Sequence, residues 1–244
     1  GRFLEPPPDA DSHGCDWPVS VEIPVDASWR SGFYLITLRA RWADRSKVEA
    51  EREVSHAGFV VRSGGQPTAK AVLVLATNTW NAYNNWGGKS LYTGGKQVSF
   101  RRPFGRGMLC RPEVDRDDRK ARPARWGEEP DVDGLQFQDY RNGLGYPPAI
   151  GSTGWFTFER RFVEWAEKEG YELDFAISSD LEAAPDTLDG YHLMLSIGHD
   201  EYWSAPQRRA VERFVSDGGN LASFSGNTMF WQVRIEGSQD DPGA

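Results

Sequence analysis

A chain of 244 residues, 39% of them hydrophobic, can bury a substantial core in one large domain or two smaller ones. Its formal net charge of -8 argues against a surface that follows nucleic-acid phosphates, and its longest purely apolar run, 71–76, is too short to span a bilayer. Two cysteines and an N-terminus without an apolar signal core lead us to expect a cytoplasmic protein without a disulfide framework.

The first part of the chain has the pattern of β-structure. Residues 19–23 alternate apolar and polar side chains, as in a strand with one face in water, and residues 33–38 and 58–62 are rich in β-forming types. Because these strands are fewer than a full sandwich needs, we predict an incomplete, Ig-like β-sandwich segment at 1–64 in a chain that begins partway through a larger protein.

Residues 68–244 have the pattern of an α/β domain. A continuous apolar run at 71–76 predicts a strand that is buried on both faces. Residues 173–177 and 193–197 are predicted as further buried strands, and residues 221–224 as another strand. Helical spacing at 155–170 and a capping pattern with proline at 204–207 predict helices between these strands. Alternating strands and helices predict a mostly parallel sheet flanked by helices.

Three polar connections follow the carboxyl ends of these strands, where open α/β sheets bind ligands. They are residues 77–92, 198–204 and 225–228. His199, Asp200 and Glu201 lie between a buried strand and a helix N-terminus, a position that concentrates titratable groups. The structural alternative stays open at this point, with Asp200 capping a turn, Glu201 in a salt bridge and His199 an ordinary hydrogen-bonded histidine.

The aromatic residues of the 77–92 connection allow two interpretations. Packing of a small core is favoured for the tryptophans, and the asparagines suit turns and irregular backbone. The second interpretation is a substrate pocket, and its predicted lining is Trp80, Asn84, Trp86 and Trp203. Thr79 and Ser225 are nucleophile candidates by residue type alone, because no paired base identifies either of them.

Five motifs together resemble the large (beta) subunit of N,N-dimethylformamidase and its relatives, over residues 29–234. They are TNTWNAYN at 77–84, GKSLY at 88–92, HDEYW at 199–203, GGNL at 218–221 and SGN at 225–227. The resemblance implies a fold similar to class I glutamine amidotransferases, without their cysteine nucleophile, preceded by the end of a β-sandwich.

The resemblance also implies a mononuclear iron, in the ferric state, held by two tyrosinates and a glutamate. Carried over by motif, the metal ligands are Tyr83, Tyr92 and Glu201, and Tyr140 is the alternative for the second tyrosine. His199 and Asn227 match the family's active-site histidine and asparagine, so the implied catalytic set is His199, Asn227 and Glu201. Phenolate and carboxylate oxygens are hard donors that suit a hard cation such as ferric iron.

These features predict an amidohydrolase that cleaves a C–N amide-type bond with metal-activated water. His199 would move protons and Asn227 would donate a hydrogen bond to the developing oxyanion. The expected partner is a small-molecule substrate, with no nucleic acid and no membrane, and a homo-oligomer is left open. Two rival hypotheses remain. One is a metal-free enzyme on the same scaffold, acting on a sugar-like or natural-product substrate, and the other is a non-catalytic binding module.

Overall fold

The computed structural model describes residues 5–39, 54–110 and 152–237 of the chain. The strands are β1 (Gly32–Arg39), β2 (Val54–Val61), β3 (Ala71–Leu75), β4 (Leu173–Ile177), β5 (Leu193–His199), β6 (Tyr202–Ser204), β7 (Asn220–Gly226) and β8 (Trp231–Val233). The helices are α1 (Ala10–His13), α2 (Thr77–Tyr83), α3 (Glu159–Lys168), α4 (Asp180–Ala183) and α5 (Ala205–Ser216). Within these described ranges, no helix has the length and apolar character that crossing a membrane requires.

A four-stranded parallel sheet in the order β4-β3-β5-β7 forms the centre of the fold. Leu73 of β3 lies beside Phe175 of β4 on one side and beside Leu195 of β5 on the other. The residues of β3 from Val72 to Leu75 are buried, as continuous apolar strands in parallel sheets are. The predicted parallel sheet with helices is therefore confirmed, and the closer likeness to glutamine amidotransferases stays a prediction.

The two faces of the sheet support two separate cores. Leu73 and Leu75 pack on one face with Trp80 and Trp155, whereas Val72 and Val74 pack on the other face. The second core includes apolar residues of α4 and α5. Successive residues of a strand point to opposite faces, so β3 contributes to both cores. Packing on both faces therefore fixes the positions of the strands and of their carboxyl ends.

Strands β1 and β2 form an antiparallel pair in register from Gly32↔Val61 to Arg39↔Val54. The ring of Phe33 stacks on Trp155 with 4.2 Å between centroids, and the Phe175 N–H donates to Ser31 Oγ at 2.8 Å. The strands predicted at 33–38 and 58–62 are confirmed. An Ig-like sandwich segment over 1–64 stays a prediction, and its residues 1–4 and 40–53 lie outside the described part of the chain.

The strand predicted at residues 19–23 is wrong. This stretch has no regular secondary structure, and Val19 and Val21 are 76% and 68% exposed. Alternation of apolar and polar residues favours a strand only where a neighbouring strand and a core surface are available. Among the described residues, no strand pairs with this stretch and its side chains do not pack into a core.

The two long helices match their predictions, apart from one boundary. Helix α5 begins as the capping pattern indicates, because Ser204 Oγ accepts from the Gln207 N–H at 3.2 Å and Pro206 lies in the first turn. Helix α3 begins at Glu159 rather than at Trp155. Trp155 instead packs into the core from a turn that precedes the helix.

The start of the 77–92 connection, predicted as irregular, is the helix α2. Threonine and asparagine have low helix propensity, so the sequence gives a weak local signal here. Tertiary contacts stabilise the helix instead. Asn78 Nδ2 donates to Gln207 Oε1 at 3.1 Å, and Trp80 Nε1 donates to Glu159 Oε1 at 2.9 Å. The interpretation of the asparagines as turn or irregular-backbone residues is therefore wrong for Asn78 and Asn81, which lie in this helix.

Candidate metal centre

Tyr83, Tyr92 and Glu201 meet beyond the carboxyl ends of the parallel strands. The Tyr83 hydroxyl donates to Glu201 Oε2 at 3.0 Å, and the Tyr92 hydroxyl donates to the same oxygen at 2.5 Å. The two phenol oxygens are 3.0 Å apart, and their ring centroids are separated by 4.2 Å. Three hard oxygen atoms, from two segments far apart in sequence, thus lie close together.

Helix α2 carries Tyr83 to this point. Tyr83 is the last residue of the helix, one turn after Thr79. Thr79 is completely buried, and its Oγ1 accepts from the backbone N–H groups of Glu201 at 2.9 Å and Tyr202 at 3.2 Å. The helix is therefore hydrogen-bonded to the backbone of the residue that contributes the carboxylate.

Arg102 holds the loop that carries Tyr92. Its buried guanidinium donates to backbone carbonyl oxygens of Trp86 at 2.7 Å and Asn84 at 2.8 Å, with longer bonds to those of Asn81 and Lys89. An arginine surrounded by carbonyl oxygens fixes an irregular backbone by satisfying acceptors that no regular structure satisfies. Burial lowers the pKa of this guanidinium from its usual value.

His199, the last residue of β5, is oriented by a backbone carbonyl. Its Nδ1 lies 2.9 Å from the Ser152 carbonyl oxygen, which only accepts, so Nδ1 carries the proton. In the neutral ring this leaves a lone pair on Nε2, which is 3.1 Å from Glu201 Oε2. Nε2 is a buried atom that forms an ion pair with Glu201 Oε2 when the ring is protonated, and in the neutral ring it has no hydrogen-bond partner among the described residues. A buried acceptor beside a carboxylate oxygen is an arrangement that a cation would stabilise.

Asp200 faces the protein interior rather than the cluster. Its Oδ2 accepts from Ser196 Oγ at 2.7 Å, and its backbone carbonyl accepts from Trp203 Nε1 at 3.0 Å. Burial raises the pKa of its carboxyl to about 6, against the lowering effect of the hydrogen bond from Ser196. Asp200 is therefore a structural residue of the loop, whereas its two neighbours face the phenols.

Asn227 lies directly after β7, beside the end of β5. Its neighbour Gly226 is the register partner of His199, and the Asp200 N–H donates to the Gly226 carbonyl at 3.3 Å. Asn227 has φ of 52°, in the left-handed region that asparagine tolerates better than most residues. Its side chain is exposed.

The phenols of the cluster are protonated at neutral pH, and burial makes their ionisation still harder. It raises the pKa of Tyr83 to about 12 and also raises that of Tyr92, where the bond to Glu201 adds to the effect. Both hydroxyls therefore donate to the Glu201 carboxylate. Among the described residues, no three His, Cys, Asp or Glu side chains are grouped as metal ligands, so a metal here would depend on the phenol oxygens.

A family model described as "N,N-dimethylformamidase beta subunit-like, C-terminal" matches residues 3–243. The chain belongs to this family. It is similar to the N,N-dimethylformamidase beta subunit of Paracoccus aminophilus, with 23% identity over 235 residues, covering 91% of this chain and 28% of the relative. Identity to the beta subunit of the same name from Alcaligenes sp is 21%, with the same coverage. The resemblance that the motifs indicate is confirmed, and the chain spans 28% of the length of these relatives.

The residues predicted to line a substrate pocket have different positions in this family member. Trp80 is buried in the core, and Asn84 holds loop backbone, accepting from the N–H groups of Trp86 at 3.1 Å and Gly105 at 2.9 Å. Trp86 packs edge-to-face on Trp17 with 5.7 Å between centroids. In the structure each of these three residues contacts other parts of the protein. Substrate contact by Trp80, Asn84 and Trp86 stays a prediction.

Trp203, the fourth of these residues, is buried in the second core. It also lines a cleft beside the start of α5, together with Arg208 and Trp231. The cleft lining does not include the two phenols or Glu201. Trp203 thus lies next to the candidate site along the chain without facing it.

The sequence does not reveal the structural roles of Thr79, Arg102 and Glu159. By residue type Thr79 is a nucleophile candidate, whereas in the structure its oxygen accepts two backbone N–H groups. Glu159 is completely buried behind Trp80, at the start of α3. A signal for Thr79 existed in its i, i+4 spacing from Tyr83, which places both residues on one helix face once the helix is recognised. Tyr140, the alternative second tyrosine, lies outside the described residues.

Proposed function

We propose that this protein hydrolyses the C–N bond of a small amide, at a mononuclear ferric iron held by Tyr83, Tyr92 and Glu201. Family membership supports the amide-hydrolase class, because the relatives are subunits of N,N-dimethylformamidase. The observation that carries the metal site is the meeting of both phenol oxygens at Glu201 Oε2, at 3.0 and 2.5 Å.

The residues present fit such an ion. Phenolate and carboxylate oxygens are hard donors, and their convergence at one carboxylate oxygen supports a shared hard cation. In the neutral ring, the lone pair of His199 Nε2 faces the same oxygen at 3.1 Å. When bound, iron supplies Lewis-acid chemistry to an amide carbonyl and lowers the pKa of water.

The chain's own residues provide the proton transfer and the charge stabilisation in this proposal. His199 accepts a proton from water at Nε2 and returns it to the leaving amine, while the Ser152 carbonyl keeps the ring in the required tautomer. The exposed side-chain amide of Asn227 donates a hydrogen bond to the oxygen of the tetrahedral intermediate.

Iron binding is tested by metal analysis and by a tyrosinate-to-iron charge-transfer band after loading with Fe(III). We expect one iron per chain in the wild type, and loss of the band or of binding in Tyr83→Phe and Glu201→Gln. Tyr191→Phe is the matched control, because the Tyr191 hydroxyl donates to Asp174 Oδ2 at 3.0 Å, near the start of β4. This control should keep both the iron and the band.

Amide hydrolysis is tested by release of amine from N,N-dimethylformamide and from larger formamides and acetamides. We expect turnover by the iron-loaded protein and none by the His199→Ala variant. Full turnover by protein stripped of metal would contradict the role of iron. An iron-loaded protein that leaves every amide of the series intact would contradict the hydrolase function.

A further inference from the structure

A single buried oxygen connects the two elements that carry the candidate ligands. Thr79 Oγ1 is 2.9 Å from the Glu201 nitrogen and 3.2 Å from the Tyr202 nitrogen, and Thr79 has no exposed surface. Both contacts are backbone N–H groups donating to the hydroxyl oxygen. The connection joins α2 to the segment between β5 and β6, over 122 residues of sequence separation.

Because Thr79 and Tyr83 belong to the same helix, α2, the hydrogen bonds of Thr79 also affect the position of Tyr83. Residues four apart lie on the same face of a helix, so Thr79 and Tyr83 point to the same side. Thr79 contacts the backbone of Glu201, and the Tyr83 hydroxyl contacts the carboxylate of the same residue at 3.0 Å. Movement of the helix relative to Glu201 would therefore change both distances together.

The backbone of Glu201 is held on its other side as well. Its carbonyl oxygen accepts from the Trp231 N–H at 2.9 Å, which joins it to β8. Without the Thr79 oxygen, two buried N–H groups on the α2 side would lose their acceptor. Buried donors without an acceptor favour local rearrangement, because they regain hydrogen bonds only by moving.

We infer that Thr79 is a positioning residue, whose hydroxyl oxygen fixes the backbone of Glu201 against the helix that carries Tyr83 and so sets the separation of these two ligands. The inference rests on the proposed function for its effect on metal binding. Its effect on the Glu201 backbone is independent of any metal. Partners behind metal ligands contribute to affinity because they limit the positions that the ligands adopt.

Three variants separate positioning from a general loss of stability. Thr79→Val keeps the shape of the side chain and removes the acceptor, whereas Thr79→Ser keeps the acceptor and removes a methyl group. Thr68→Val makes the same substitution at an exposed position at the opposite end of the sheet, where the Thr68 hydroxyl donates to Asp174 instead of accepting. Should Thr79→Val fail to fold, Thr79→Ala removes the acceptor without adding an apolar methyl group beside the amides.

Two measurements are made on each variant. The first is hydrogen exchange of the Glu201 and Tyr202 amides in the metal-free protein, followed by NMR. The second is the Fe(III) dissociation constant from chelator competition, with the charge-transfer band. For Thr79→Val we expect faster exchange at both amides, iron affinity lower by about 10- to 100-fold and a shifted band. Thr79→Ser and Thr68→Val should resemble the wild type in both measurements.

The outcomes distinguish this inference from the proposed function. Wild-type exchange rates in Thr79→Val would overturn the inference, and so would faster exchange combined with unchanged iron affinity. Equal losses of affinity in Thr79→Val and Thr68→Val would also overturn it, because they would indicate general destabilisation. If the wild type binds no iron, the proposed function fails, and the exchange rates alone then decide whether Thr79 holds the Glu201 backbone.

Discussion

Glu159 makes the stability of this protein depend on pH in a direction that can be calculated. The side chain is 1% exposed, its Oε1 accepts from Trp80 Nε1 at 2.9 Å, and its Oε2 has no hydrogen-bond partner among the described residues. Burial raises the pKa of its carboxyl from 4.5 to about 8, with a smaller contribution from the charge of Asp200. Glu159 is therefore mainly protonated in the folded protein at pH 7.

The sign follows from the higher pKa in the folded state. Between pH 4.5 and about 8 the folded protein binds this proton and the unfolded chain releases it, so the free energy of unfolding falls as pH rises. For these two pKa values the loss between pH 5 and pH 8 is about 3.5 kcal/mol. The variant Glu159→Gln is neutral at every pH and retains a carbonyl acceptor for Trp80, so it should lack this loss.

The assay is urea unfolding of the wild type and Glu159→Gln at pH 5, 6, 7 and 8. The difference in unfolding free energy between the two proteins should change by about 3.5 kcal/mol in favour of the variant as pH rises. Any pH-independent effect of the substitution cancels in this comparison. Glu164→Gln is the control on the same helix, because Glu164 pairs with Arg160 at the exposed surface. Parallel pH profiles for wild type and Glu159→Gln would refute the reasoning.

Three further predictions concern residues around the site. Gly198 has φ of +89°, and an added Cβ would lie 2.4 Å from the Cβ of Phe158, so Gly198→Ala should lower the free energy of unfolding by about 3 kcal/mol or more, as measured in urea. Replacing Arg102 with methionine leaves several loop carbonyls without donors, so we expect the free energy of unfolding to fall by about 3 kcal/mol. Proteolysis within residues 84–102 should also be faster than in the wild type. Equal cleavage rates would contradict this role of Arg102. Asn227→Gly keeps the left-handed backbone conformation, whereas Asn227→Ala strains it by about 1 kcal/mol. Both variants should nevertheless lose amide hydrolysis, because both lack the side-chain amide.

The central sheet was predictable because its strands carry strong local signals. The run at 173–177 matches β4 at both ends, and the run at 193–197 lies within β5. Parallel topology then predicts that the 77–92 connection and Glu201 meet at one edge of the sheet, and the structure brings Tyr83 and Glu201 to 3.0 Å. The metal ligands themselves came from motif resemblance, since spacing alone left a structural interpretation of Glu201 open.

The remaining features depend on contacts between distant segments, which local patterns do not contain. Helix α2 forms from residues with low helix propensity because Asn78 and Trp80 bond to Gln207 and Glu159. The stretch 19–23 has a strand pattern and no neighbouring strand among the described residues. In both cases the tertiary environment decides the conformation: contacts make α2 helical despite its low propensity, and the stretch 19–23 forms no strand despite its pattern.

The alternation of side chains along the extended segment from His199 to Glu201 restricts how this segment can change. His199 and Glu201 are two residues apart and face the phenols, whereas Asp200 between them bonds to Ser196 in the interior. Inserting or deleting one residue here would turn an interior carboxylate outward and send a ligand into the core. Length variation among homologues should therefore accumulate outside this triplet, and designs that transplant the site need the His-x-Glu spacing intact.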